Sequence, residues 1–260
     1  MTRALNSDAR SSSADPHLMT RTRNSASIQR EPPQPDSADI AGALTEGASL
    51  SSAGERIDRI SARFLGRPYL DNPLGGGPEQ RERLTATTTG FDCVTYVETI
   101  LALAEASTRR SFLDRLRRIR YREGRVEWRL RNHYMSDWAR NNQNAGLIEN
   151  LTTGRISIRR ARHLNIIPGL RERDVVVRCF PKRWLLRNKG AGQTGDVVML
   201  VSTRKNLDFF HLGFVIRRDG ERLIRHASRT ARAVVEEPLE SFLRKLRMSG
   251  IVLLRPLCRK

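Results

Sequence analysis

The chain has 260 residues, 47 of them basic and 28 acidic, for a formal net charge of +19, with 38% hydrophobic and 29% charged residues. That is too apolar for a wholly disordered chain, and no stretch approaches the roughly 20 apolar residues of a membrane-spanning helix. The three cysteines, Cys93, Cys179 and Cys258, are scattered and form no CxxC pair, which excludes a disulfide scaffold and argues against a structural zinc site.

Residues 1–54 hold five basic and six acidic residues, whereas 55–260 hold 42 and 22. The first segment is rich in Ser, Ala, Asp and Pro (SSSADP, REPPQPDSAD) and is too poor in apolar side chains to offset its ordering entropy. It is expected to be a disordered tail over 1–54, followed by one folded domain over 55–260. The start, MTRALNSDARSSSADPH, has no apolar core of the kind a secretory signal needs, so no Sec-type signal peptide is expected. Such a tail fits a linker, a misassigned start codon, a short recruiting segment or a non-cleaved export signal. Location is accordingly open between the cytoplasm and a non-classical or effector secretion route.

Within the domain, Ile57, Ile60 and Phe64 recur at helical spacing over 55–65. The Gly- and Pro-rich stretch 66–80 predicts a loop. Residues 87–106 run from a turn into a helix apolar nearly all round, hence central and buried. A basic amphipathic helix follows over 107–121, then a strand leading to a loop or short helix over 125–142. Residues 174–180, 195–203, 209–218 and 220–228 read as strands, with a hairpin signal at Asp219–Gly220. A helix over 238–247 and a last strand over 250–257 complete an α+β order, helices first and an antiparallel sheet after.

Cys93 stands near the start of the buried helix, where the peptide dipoles favour a thiolate and are expected to lower its pKa. His211 and His226 lie on two strands joined by the hairpin, on a possible common face. A helix-borne Cys, a strand-borne His and a polar residue that orients it are the parts of a cysteine hydrolase: nucleophile, general base and third member. The same residues also fit a structural reading, with Cys93 as core filler and the histidines as structural or surface groups.

Several segments carry a resemblance. GRPYLDNPLGG (66–76), FDCVTYVETILALA (91–104), NHYMSDWARNN (132–142), TGDVVML (194–200), HLGFVI (211–216), and RHAS with EPLESFL (225–228, 237–243) follow in order. Together they resemble the N-acetylmuramoyl-L-alanine amidase-like family, a branch of the NlpC-type papain-like cysteine hydrolases of bacterial cell walls. The match covers about 55–260. The resemblance implies a papain-like fold, its nucleophile helix packed on an antiparallel sheet, and cleavage of the bond between N-acetylmuramic acid and the first L-alanine of the stem peptide. Cys93 maps to the nucleophile, His211 to the base and His226 to the third member. Tyr69, with the Cys93 amide, maps to the oxyanion site. Tyr134, Ser136, Asp137 and Trp138 map to a wall of the sugar–peptide pocket, Trp138 either stacking on a sugar or sitting in the core. Asp92 and Thr95 flank the nucleophile as further oxyanion or substrate-binding candidates, a helix cap being the other role open to Asp92. Glu98 is either the buried partner of an arginine or a substrate contact.

The expected partners are muropeptides or cell-wall polymer, with no cofactor, no metal and a monomer by default. Two other functions compete: the same chemistry on an amide of a host or rival cell, and a basic polyanion-binding module without turnover. Dedicated nucleic-acid binding is not expected, because no RRM, zinc-finger or basic-zipper pattern occurs and aromatics are only 6%.

Overall fold

The computed structural model describes residues 36–257; most of the expected tail, 1–35, and Cys258 lie outside them. In chain order the helices and strands are α1 (Ser37–Ala48), α2 (Ala53–Ala62), α3 (Cys93–Ala104), α4 (Arg109–Arg120), α5 (Met135–Asn144), β1 (Ile148–Asn150), β2 (Ile158–Leu164) and β3 (Arg173–Cys179). They continue with α6 (Lys182–Arg187), β4 (Val197–Val201), β5 (Phe209–Arg218), β6 (Glu221–Ser228), β7 (Ala233–Pro238), α7 (Leu239–Lys245) and β8 (Gly250–Pro256). No helix among the described residues is long and apolar enough to cross a membrane.

Six strands form an antiparallel sheet in the order β1-β8-β4-β5-β6-β7, and β2 and β3 form a separate two-stranded ribbon. The central strand β4 reads VVMLV and is buried throughout, as a strand covered on both faces must be. Val197, Met199 and Val201 join the core beneath α1–α5, while Val198 and Leu200 join a second core with Leu185 of α6 and Leu239, Phe242 and Leu243 of α7. The β5–β6 hairpin turns at Asp219 and Gly220, both at positive φ (52° and 80°), the pair of left-handed residues that matches the twist of the flanking strands.

Helix α3 is buried along nearly its whole length, and the Tyr96 hydroxyl donates to the Ser61 carbonyl of α2 at 2.9 Å. The sheet-facing and helix-facing sides of α3 are both apolar because other helices cover what the sheet does not.

Two expectations are corrected. Residues 36–54, expected to be disordered, hold α1 and the start of α2. Asp36 caps α1 through the Ala38 amide, and Ile40 and Ala43 enter the core. The short run IAGALTEG carries enough apolar surface to pack against a neighbour, a signal diluted by the polar residues on either side. Residues 125–142 hold no strand. Trp128–Leu130 form a single 3-10 turn ahead of α5, with Trp128 against the His133 ring (4.2 Å between centroids) and the Arg131 guanidinium (4.3 Å from the ring centre). The alternation there reflects a turn folded around an aromatic ring. The elements α6, β1, β2 and β7 also had no expectation.

Candidate active site

Asp92 is the N-cap of α3. Its carboxylate accepts from the Thr95 amide (2.7 Å) and hydroxyl (2.8 Å), while Thr95 Oγ1 accepts from the Asp92 amide at 3.0 Å. This reciprocal cap fixes the first turn of α3 and aims both side chains at the helix end, so the structure places Asp92 and Thr95 as caps of α3. Cys93 is the first helical residue and is half-buried. The amides of Leu212, Cys93 and Val94 face its sulfur, yet burial, followed by the Asp92 carboxylate, pushes the thiol up to about 12. The expected lowering by the helix dipole is therefore reversed: desolvation of a thiolate outweighs the partial charge of one helix end.

The imidazoles meet where β5 and β6 approach most closely. The ladder between these strands ends at Phe214↔Arg225. Just beyond it, a Cβ on Gly213 would stand 2.8 Å from the His226 Cβ and 2.9 Å from the Arg225 carbonyl oxygen. Only glycine allows that approach. On the other side of β5, the register with β4 shifts between Leu200↔His211 and Val201↔Phe209. The extra residue lets Phe209 and Leu212 both enter the helix-side core, leaving His211 on the α7 face. There His211 Nε2 lies 2.7 Å from His226 Nδ1, and the Phe242 ring packs against both imidazoles. His226 Nε2 is in turn 3.3 Å from Glu237 Oε1 on β7. Burial, with the neighbouring imidazole second, pushes His211 down to about 3, and burial also lowers His226 against the opposing pull of Glu237.

Tyr69 reaches the same region through its backbone. Segment 68–70 lies against Phe91: the Phe91 amide donates to the Pro68 carbonyl at 3.0 Å and the Leu70 amide to the Phe91 carbonyl at 2.9 Å. A Cβ on Gly90 would stand 2.8 Å from the Pro68 carbonyl oxygen, so this glycine permits the contact. Burial, with the neighbouring Cys93 and Asp92 adding to it, pushes the Tyr69 phenol up to about 12; it is a neutral hydroxyl near Cys93, able to donate a hydrogen bond.

The 134–138 block is a support for the site. Tyr134 is buried, and its hydroxyl accepts from the amides of Ile166 and Ile167 at 2.9 and 3.2 Å. The Ser136 amide, at the start of α5, donates to Asp208 Oδ2 at 2.7 Å, and Asp208 Oδ1 accepts from the Phe209 amide at 2.8 Å. Asp208 thus caps α5 from the residue just before β5, three positions before His211. Asp137 pairs with Arg140 (2.5 Å) and Arg173. Trp138 is fully buried and its indole donates to Glu98 at 3.2 Å, so it stacks on no ligand. Glu98 is the buried partner of Arg120, at 2.6 Å.

The structure therefore brings His211 and His226 together on the α7 face and sets Tyr69 near Cys93 at the start of α3, where the Leu212 amide, next in the chain to His211, faces the sulfur. It adds Glu237, Gly213 and Phe242, which the sequence reading did not single out. On β7, Glu237 stands opposite Ile224 and diagonal to His226; reading AVVEEP (233–238) as a strand would have found it.

A family profile described as N-acetylmuramoyl-L-alanine amidase-like matches residues 59–251. The chain superposes on a crystallised N-acetylmuramoyl-L-alanine amidase from Bacteroides uniformis with a TM-score of 0.70 at 24% identity, covering 79% of this chain and 99% of that one. It superposes on a crystallised protein from Legionella pneumophila with a TM-score of 0.72 at 25% identity, covering 86% and 99%. No curated protein sequence matches it.

Proposed function

The chain belongs to the N-acetylmuramoyl-L-alanine amidase-like family and is an amidase-like enzyme; we propose that it is a cysteine amidase, with an NlpC-type papain-like arrangement, that hydrolyses the N-acetylmuramoyl-L-alanine bond of peptidoglycan fragments. The observation that carries this reading is the imidazole pair. His211 Nε2 is committed to His226 at 2.7 Å, which leaves His211 Nδ1 as the nitrogen free for chemistry, while the adjoining Leu212 amide faces the Cys93 thiol.

Both groups rest uncharged, because burial raises the thiol and lowers the imidazole. Attack is then general-base assisted. The Cys93 sulfur bonds to the lactyl carbonyl carbon as its proton passes to His211 Nδ1. In this mechanism the Cys93 amide at the helix start and the Tyr69 hydroxyl hold the oxyanion. Collapse breaks the C–N bond, and the proton on His211 goes to the departing L-alanine nitrogen. A water, deprotonated by His211, then attacks the thioester, releasing the muramoyl carboxylate and restoring the thiol.

The test is product analysis. Wild-type protein incubated with a muropeptide mixture is expected to release free stem peptide from the sugar, and Cys93→Ala to release none. Equal product from both proteins, or none from either, overturns the reading.

A further inference from the structure

The two imidazoles alone leave one question open: which of them donates. We propose that Glu237 is a positioning residue that answers it, fixing both tautomers so that Nδ1 of His211 is left bare to act as the base; the inference rests on the amidase reading above. A neutral imidazole carries one N–H and one bare nitrogen, and an ionised carboxylate only accepts. Glu237 Oε1 lies 3.3 Å from His226 Nε2, so Nε2 is the protonated nitrogen of His226 and its Nδ1 is bare. His211 Nε2, 2.7 Å from that bare nitrogen, must then carry the proton. His211 Nδ1 is left without one, as a base requires.

The reverse order places a bare nitrogen of the buried His226 against a half-buried carboxylate oxygen, two acceptors with no proton between them. It also puts a proton on His211 Nδ1, where none can be taken from a thiol. A histidine pair lacking the carboxylate satisfies its shared hydrogen bond equally well in either direction. Specifying the direction is thus the part that Glu237 adds.

The proton count closes without loss. When the thiol proton reaches Nδ1, His211 becomes imidazolium and still donates through Nε2 to His226, which still donates to Glu237; no proton leaves the chain of groups. The charge is answered by the carboxylate at the far end. Lys245 of α7 also faces the relay, its Nζ 3.6 Å from Glu237 Oε2. Phe242 fills the remaining side of both rings.

Two measurements test this. The first is the nitrogen chemical shifts of 15N-histidine-labelled Cys93→Ala protein, which needs no turnover. The expected pattern is N–H character at Nε2 of both histidines and bare character at both Nδ1, becoming a tautomer mixture in Cys93→Ala/Glu237→Gln. The second is muropeptide turnover by Glu237→Gln. Its kcat is expected to fall about 10- to 100-fold, the usual cost of losing an orienting partner, with KM within about twofold. Its acid limb of kcat/KM is expected to move to lower pH, because removal of the carboxylate lowers the basicity of the relay. A structural defect would lower the plateau and leave that limb in place. Protonated Nδ1 on His211 in the parent protein, or an unchanged kcat and pH profile in Glu237→Gln, overturns the inference. If the wild type releases no stem peptide, the amidase reading fails while the nitrogen shifts still decide the tautomers.

Discussion

At Cys93 the helix dipole and burial act in opposite directions. A helix N-terminus favours a negative charge by about 0.3–1 kcal/mol, whereas burial lifts the thiol to about 12, and each pKa unit corresponds to about 1.4 kcal/mol. Burial therefore decides the resting state, and in the proposed mechanism Cys93 and His211 wait as thiol and neutral imidazole. Alkylation of Cys93 by iodoacetamide should accelerate roughly tenfold per pH unit between pH 7 and 10, following the thiolate fraction; a rate already at plateau by pH 6 would show a preformed ion pair. In the proposed mechanism His211 is a base in its neutral form, so protonation stops it, and a depressed pKa moves that loss to lower pH. With His211 at about 3, kcat/KM should hold between pH 5 and 7. A half-loss at about 6.5, the value of an unperturbed imidazole, would contradict the assignment.

Small residues and a buried ion pair carry the site at the scale of elements. Gly213 lets β6 bring His226 within reach of His211. Gly213→Ala should reduce turnover by more than about tenfold, since displacements near 1 Å cost up to about a hundredfold, while its far-ultraviolet circular dichroism stays that of the wild type. Glu98 ties α3 to Arg120 of α4 and to Trp138 of α5. Glu98→Ala leaves a buried guanidinium unpaired and should lower the unfolding free energy by about 3–5 kcal/mol in a denaturant titration. Much of this frame was legible from sequence, because α2, α3, α7, β4, β5, β6 and β8 each have a clear apolar period and the Asp219–Gly220 turn announces its hairpin. What was not legible depends on partners distant in the chain. Whether Trp138 faces ligand or core is decided by Glu98, 40 residues away. The cap on α5 comes from Asp208, 72 residues from the amide it receives. Helix α1 is held by contacts such as Arg67 Nη2 with both oxygens of Asp39, at 2.8 and 2.9 Å, and no composition average registers them.

Over the whole molecule the positive charge has two uses. Some arginines are internal: Arg120, Arg222 and Arg225 are buried and paired with Glu98, Glu240 and Glu236. The remaining excess faces solvent and makes a polyanion-binding side activity a direct expectation. Retention on an immobilised polyanion should be strong near 0.05 M salt and largely lost by about 0.5 M, and Cys93→Ala should elute with the wild type, because binding of this kind draws nothing from the thiol. Turnover is the property that separates an amidase from a basic binding module with the same surface. The measurement that bears on it most directly is mass spectrometry of a muropeptide digest by wild type and by Cys93→Ala. The account predicts free stem peptide and intact muramoyl sugar from the wild type alone; muropeptides left whole by both proteins would contradict it.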